Sequence, residues 1–200
     1  MRFNRWFCLV VILSLFVSEG PLLAVAAPSA ELPGDSLYQI GSRWKDQAGQ
    51  ETTLLSLRGS RVVLSLVYLT CKFSCPMVVS EMRALESKLS ARALAGVRFV
   101  LVSIDPSRDT PAVALRFMQK RKILAPRWRF LTAKDDAQVR ELAASLDYKY
   151  KRDKSGEFTH SFMLAVLDEN GVLRARVDGA NQDHADLLAA LNPAEPPAKR

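Results

Sequence analysis

The chain has 200 residues, 48% of them hydrophobic, which is enough for one domain with a substantial core and short for two. Its net charge of +7 would suit an acidic partner or an anionic surface, but the basic residues are scattered and the N-terminus points to export, which sets nucleic acid aside.

Residues 1–26 carry Arg2 and Arg5, an uncharged apolar run from Trp6 to Val17, and then Ala24-Val25-Ala26. This is the three-part layout of a secretory signal. The run is shorter than the ~20 residues of a membrane-spanning helix, so an uncleaved anchor is the secondary reading. Cys8 lies near the start of the run, not at its end where a lipid-modified cysteine would stand, and is discarded if cleavage follows Ala26. The expected product is periplasmic and monomeric, reaching a membrane only through a retained N-terminus.

Residues 27–34 read as a linker, 35–192 as the folded domain, and the Pro/Ala-rich 193–200 as a loose tail. Val62–Val67 and Val97–Val102 are short, β-branched apolar runs, as expected of strands buried on both faces. Between them Pro76 opens a helical pattern through Met77, Val78, Met82, Leu85 and Leu89, ending at Ala95-Gly96. Helices are expected over Ala112–Lys122 and Asp135–Leu146, with a strand at Trp128–Leu131. A third buried strand is expected at Phe162–Leu167, a hairpin turn at Asp168–Gly171, a strand at Val172–Val177, and a last helix from about Gln182 to Leu191. The alternation predicts an α/β fold, a thioredoxin-like three-layer α/β/α sandwich around a central mixed sheet.

Cys71-Lys72-Phe73-Ser74-Cys75-Pro76 places two thiols between a buried strand and a helix. A disulfide closing so small a loop removes little unfolded-state entropy, so a structural staple explains the pair poorly. The helix N-terminus favours thiolate over thiol, and the carboxyl end of a sheet strand is where open α/β folds place their sites. Soft thiolates select Cu(I), zinc or an iron–sulfur cluster. His160, just before the Ser161–Leu167 strand, is expected in a loop at the same sheet edge. Two sulfurs and one imidazole suit three-coordinate Cu(I) and, with one added ligand, Cu(II), whereas zinc would require a fourth ligand. His184, in the first turn of the last helix, reads as structural or solvent-facing.

From Trp44 to Leu191 the chain resembles the SCO/SenC proteins, thioredoxin-fold copper chaperones for cytochrome c oxidase assembly. The resemblance rests on Lys45–Gln50, Leu57-Arg58-Gly59, the Cys71–Pro76 turn, Ser103-Ile104-Asp105-Pro106-Ser107-Arg108-Asp109-Thr110-Pro111, and His160-Ser161. It implies copper held by Cys71, Cys75 and His160 and passed to an oxidase subunit or other copper protein. An alternative role is a thiol–disulfide oxidoreductase, with Cys71 and Cys75 as the redox pair and an external thiol reductant. A peroxide sensor, needing one reactive thiolate, is a more distant reading. Two features depart from the family pattern: the segment Lys72-Phe73-Ser74 replaces a spacer that commonly holds a proline and an acidic residue, and Thr159 stands where an aspartate is common. Asp109 or Thr110 is expected to cap the following helix, with Asp105 as a supporting contact to the site.

Overall fold

The structure, a computed structural model, describes residues 31–70, 74–123 and 125–192, and only the backbone of Ser74 and Cys75. The signal segment, Cys8, the first half of the expected linker, Cys71, Lys72, Phe73 and the C-terminal tail lie outside the described residues. Contacts divide the chain into Met1–Glu31 and Leu32–Arg200, and the elements below belong to the second unit.

The buried apolar runs form the centre of a seven-stranded sheet. In chain order its strands are β1 (Arg43–Asp46), β2 (Glu51–Thr53), β3 (Arg61–Val67), β4 (Val97–Ser103), β5 (Trp128–Ala133), β8 (Met163–Leu167) and β9 (Leu173–Asp178). A separate two-stranded sheet pairs β6 (Tyr150–Arg152) with β7 (Phe158–His160). The large sheet runs β2-β1-β5-β4-β3-β8-β9, with β3, β4 and β5 parallel and the remaining pairings antiparallel. Val62 to Val67 are all buried because apolar layers cover both faces. Ser65, fully buried among them, donates its hydroxyl to the Met163 carbonyl of β8 at 2.7 Å.

One face is covered by α1 (Ser74–Lys88), α3 (Pro111–Arg121) and α5 (Ala185–Leu191), whose Met82, Leu85, Met118 and Leu187 pack on Val63, Phe99, Leu101 and Val166. The other face is covered by α4 (Asp136–Ser145), by single 3-10 turns at Leu37–Gln39 and Leu54–Leu57, and by Tyr148 and Phe158. The predicted sandwich is therefore present, with its two cores closed inside the described residues. The turn joining β8 and β9 needs Gly171, which has φ +81° and sits so close to Tyr38 that a Cβ would lie 2.6 Å from its ring.

Three expectations need correction. The helix after the cysteines begins at Ser74, two residues before Pro76, so Cys75 falls inside its first turn; Pro76 is tolerated there because first-turn N–H groups have no helical partner anyway. The same helix stops at Lys88: Ser90 breaks it by capping a short α2 (Ala91–Ala95), and Gly96 ends that second piece. The last helix starts at Ala185, not Gln182, with His184 at its cap position.

Helix α4 is started by Asp135, whose carboxylate accepts the N–H groups of Ala137 and Gln138 at 3.0 and 3.1 Å. Gln138 reaches back to the Lys134 N–H at 2.8 Å. Asp135→Ala is expected to cost about 1 kcal/mol, read by urea unfolding.

Candidate metal centre

The thiol-bearing turn leaves the sheet at the carboxyl end of β3. Tyr68 and Leu69 follow, and α1 opens at Ser74 with the Cys75 backbone in its first turn. The N–H groups of that turn and the helix field favour an anionic sulfur at this position. Asp109 fastens the approach to the turn: both carboxylate oxygens accept the Leu69 N–H, at 3.1 and 3.2 Å, and the Ser103 hydroxyl donates to one of them at 2.7 Å. Asp109 has no solvent exposure. Burial pushes its carboxyl up to about 6, against the opposing pull of the Ser103 and Leu69 hydrogen bonds. Thr110, not Asp109, caps α3, which leaves the aspartate available to hold this loop.

His160 does not sit in a loop, as the sequence suggested. It is the last residue of β7, paired with Tyr150 of β6, and half-buried. Its Nδ1 lies 2.9 Å from the Ser161 carbonyl oxygen and 2.8 Å from the Tyr148 hydroxyl. A carbonyl only accepts, so the Ser161 contact is a hydrogen bond in the tautomer with its proton on Nδ1, whereas the Tyr148 hydroxyl can donate to that nitrogen or accept from it. With Nδ1 protonated, the Tyr148 proton is directed to the Leu66 carbonyl, 3.3 Å away. In this tautomer the lone pair is on Nε2, the form a metal-ligating imidazole takes when its other nitrogen is hydrogen-bonded. The ring meets Tyr68 edge-on, with centroids 5.4 Å apart. Tyr68 stands three positions before Cys71, so the fold brings the distal histidine against the stem of the cysteine turn. Cys71 and the Cys75 side chain lie outside the described residues. Among the described residues no group of three or more His, Cys, Asp or Glu side chains is clustered as a metal site.

A charged junction holds the β6–β7 pair in place. Asp105, fully buried just beyond β4, accepts from the Ser107 hydroxyl at 2.8 Å, from Arg152 of β6 at 2.9 Å, and from Arg108. Arg108 also donates to the Gly156 carbonyl at 2.6 Å, within the β6–β7 turn. Asp105 thus supports the hairpin that carries His160. Tyr148, Tyr68, Arg108 and Arg152 were not singled out by the sequence reading. Tyr148, Tyr68 and Arg152 are isolated positions whose partners lie far away in the chain, while Arg108 pairs with Asp105 three positions away, within the Ser103–Pro111 segment, and reaches Gly156 only through the fold.

His184 is structural but not solvent-facing. It is 7% exposed, and its Nε2 lies 2.7 Å from a Glu81 carboxylate oxygen. The other Glu81 oxygen accepts the Asn181 N–H at 2.9 Å, tying α1 to the entry of α5.

A family model described as SCO1/SenC matches residues 37–194. The chain belongs to the SCO1/SenC family. The SCO1 protein homolog of Bacillus subtilis (strain 168) is 28% identical over 154 residues, 76% of this chain and 79% of that one. The solved structure of Arabidopsis thaliana ScoI with copper bound aligns with a TM-score of 0.62 at 18% identity, covering 75% of this chain and 92% of that one. The structure of BsSco, described as showing a disulfide switch in a member of the Sco family of cytochrome c oxidase assembly proteins, aligns with a TM-score of 0.65 at 22% identity, covering 74% and 88%. At these identities the solved structures establish the SCO1/SenC fold for this chain, the thioredoxin-like sandwich read from the sequence. Among the described residues no helix is long and apolar enough to cross a membrane.

Proposed function

We propose that this SCO1/SenC protein is a periplasmic copper chaperone. Cys71, Cys75 and His160 hold copper and pass it to a copper centre of a respiratory oxidase. The observation that carries this reading is the His160 ring, edge-on to Tyr68 three residues before Cys71 and with Nδ1 2.9 Å from the Ser161 carbonyl oxygen, an arrangement that suits a lone pair on Nε2. Two sulfurs and that nitrogen fit Cu(I), and one further ligand would complete a Cu(II) site. Copper in the Arabidopsis relative and oxidase assembly by BsSco's family support the same cargo and recipient. Residues 1–26 supply the export signal, or an anchor if retained, and residues 35–192 the copper-handling domain.

The residues divide the work. The first turn of α1 favours the Cys75 thiolate, Asp109 secures the stem of the cysteine turn, and Tyr148 and Ser161 hold the imidazole in its metal-binding tautomer. Handover is ligand exchange, in which donors of the recipient replace these three one at a time.

The test competes reduced residues 27–200 against a Cu(I) chelator, with Cys71→Ser, Cys75→Ser and His160→Ala in parallel, and repeats the titration with Cu(II). Each variant is expected to bind more weakly. Full affinity of His160→Ala for both oxidation states would overturn the site. Disulfide-reductase turnover retained by that variant would then favour the thiol–disulfide oxidoreductase. Tyr148→Phe is expected to weaken copper binding about tenfold in the same competition, with no further loss when His160 is already alanine.

A further inference from the structure

Six basic residues that are scattered along the sequence come together in the fold at one pole, the end of the sheet opposite the thiol edge. Strands β3, β4 and β5 begin there, and α1 and α3 end there. Lys88 closes α1, Lys120 and Arg121 close α3, and Lys122 is the cap of α3. Cations at helix C-termini have an ordinary explanation, because they complement the carbonyl ends. That explanation does not cover Arg98, the second residue of β4, while Arg127, immediately before β5, is paired with Glu86. The acidic residues Glu86, Asp168 and Glu169 at this pole each have their own partner: Glu86 is engaged by Arg127 at 3.2 Å and by the Trp128 indole at 3.1 Å, Asp168 by Arg174 at 2.6 Å, and Glu169 by Arg61 at 2.8 Å. A depression of about 420 Å³ opens between α2 and the start of β5, with Arg98 and Arg127 on its walls beside Leu94, Ala95 and Pro126.

The chain enters the domain at this same end. The Ser36 hydroxyl donates to the Asn170 carbonyl at 2.5 Å and the Leu37 N–H to the Gly171 carbonyl at 3.0 Å. That turn follows Leu167, which is registered with Val62 at the beginning of β3. The apolar N-terminal segment therefore precedes a domain entered through its basic pole.

We propose that this pole is a docking surface for an anionic phospholipid bilayer. Long basic side chains from several elements, with Lys88, Lys120 and Lys122 exposed and Arg98, Arg121 and Arg127 half-buried, are spread over a broad face beside the chain entry and suit a diffuse layer of phosphate headgroups. Each basic side chain near such a surface strengthens binding several-fold, and salt weakens it. Docking this way holds the thiol edge away from the membrane by the length of β3, roughly 20 Å, where a recipient could reach it.

The test uses residues 27–200, whose two cores are closed within residues 32–192, and sediments them with phosphatidylcholine vesicles with and without phosphatidylglycerol. Binding is expected only with phosphatidylglycerol and is expected to fade as salt rises. Lys120→Glu with Lys122→Glu should weaken it by about tenfold or more. The charge-matched pair Lys149→Glu with Lys151→Glu, at the histidine end, should weaken it less than about threefold, since charges beyond a Debye length are screened. Thermal unfolding verifies that both variants are folded. Equal losses in the two variants would reduce the effect to net charge and overturn the proposal. So would an absence of vesicle binding, and binding to polyglutamate without binding to vesicles would assign the pole to an acidic protein instead.

Discussion

Replacing Asp105 with alanine is expected to cost about 3 kcal/mol of stability and to loosen the strand pair that carries His160. Removing one member of a buried charged pair costs roughly 3–5 kcal/mol, because its partners stay behind without an acceptor. The lower end of that range applies because the side chains of Arg108 and Arg152 are 36% and 39% exposed and can turn to water. Asp105→Asn keeps an acceptor for the Ser107 hydroxyl but loses the charge, so its effect should be intermediate. Urea unfolding gives the global loss, and amide hydrogen exchange gives its location. Amides of Lys151, Asp153, Thr159 and Ser161, on the hydrogen-bonded side of the β6–β7 ladder, should exchange faster in Asp105→Ala, while those of α1 hold their protection. Unchanged exchange in the hairpin would show that the aromatic contacts of Tyr68, Tyr148 and Phe158 suffice to seat it.

The second large effect is a pH dependence set by Asp109. Its folded-state pKa, about 6, is raised from the usual 3.8, so the fold favours the protonated carboxyl. This contribution is fully present below pH ~4, where both states are protonated, and is lost as pH rises through 6. A two-unit displacement corresponds to on the order of 2–3 kcal/mol. Asp109→Asn mimics the protonated form and can still accept the Leu69 N–H. In copper-free protein it should match the parent near pH 4 and exceed it by about 2 kcal/mol at pH 7. The readout is the difference between the two urea-unfolding profiles across pH 4–7, which cancels the titration of other carboxylates. A difference that stays flat across that range would mean the Asp109 carboxylate is solvated in the fold.

Most of the sheet was legible because its strands are buried on both faces and leave continuous apolar runs, as in Val62–Val67 and Val97–Val102. Helices α3 and α4 were legible from their caps and periodicity. The β6–β7 pair was not. Its strands are three residues each, Tyr-Lys-Arg and Phe-Thr-His, too short and too charged to show alternation. The one local trace is the Asp153-Lys154-Ser155-Gly156 turn, where Gly156 has φ +86° and Asp153 accepts the Ser155 N–H at 2.8 Å. Cys71, Cys75 and His160 stood out by chemistry, but the groups that orient the histidine did not. Tyr148 lies twelve positions from His160, and Asp105 forty-seven from Arg152. Such pairings are decided by how the chain folds back, and neighbouring residues do not encode them.

The β6–β7 pair forms a sheet of its own beside the seven-stranded one. For a copper carrier this sets a sequence of events. The proposed nitrogen donor, His160, would ride on a small hairpin fastened by half-exposed arginines, while the Cys75 backbone belongs to a fifteen-residue helix of the core. In the proposed handover a recipient would displace the nitrogen first, and lifting the hairpin would require breaking the buried Asp105 junction with Arg108 and Arg152. Release would then be paced by how often the hairpin lifts, and ionic strength, acting on those arginines, would tune the pace.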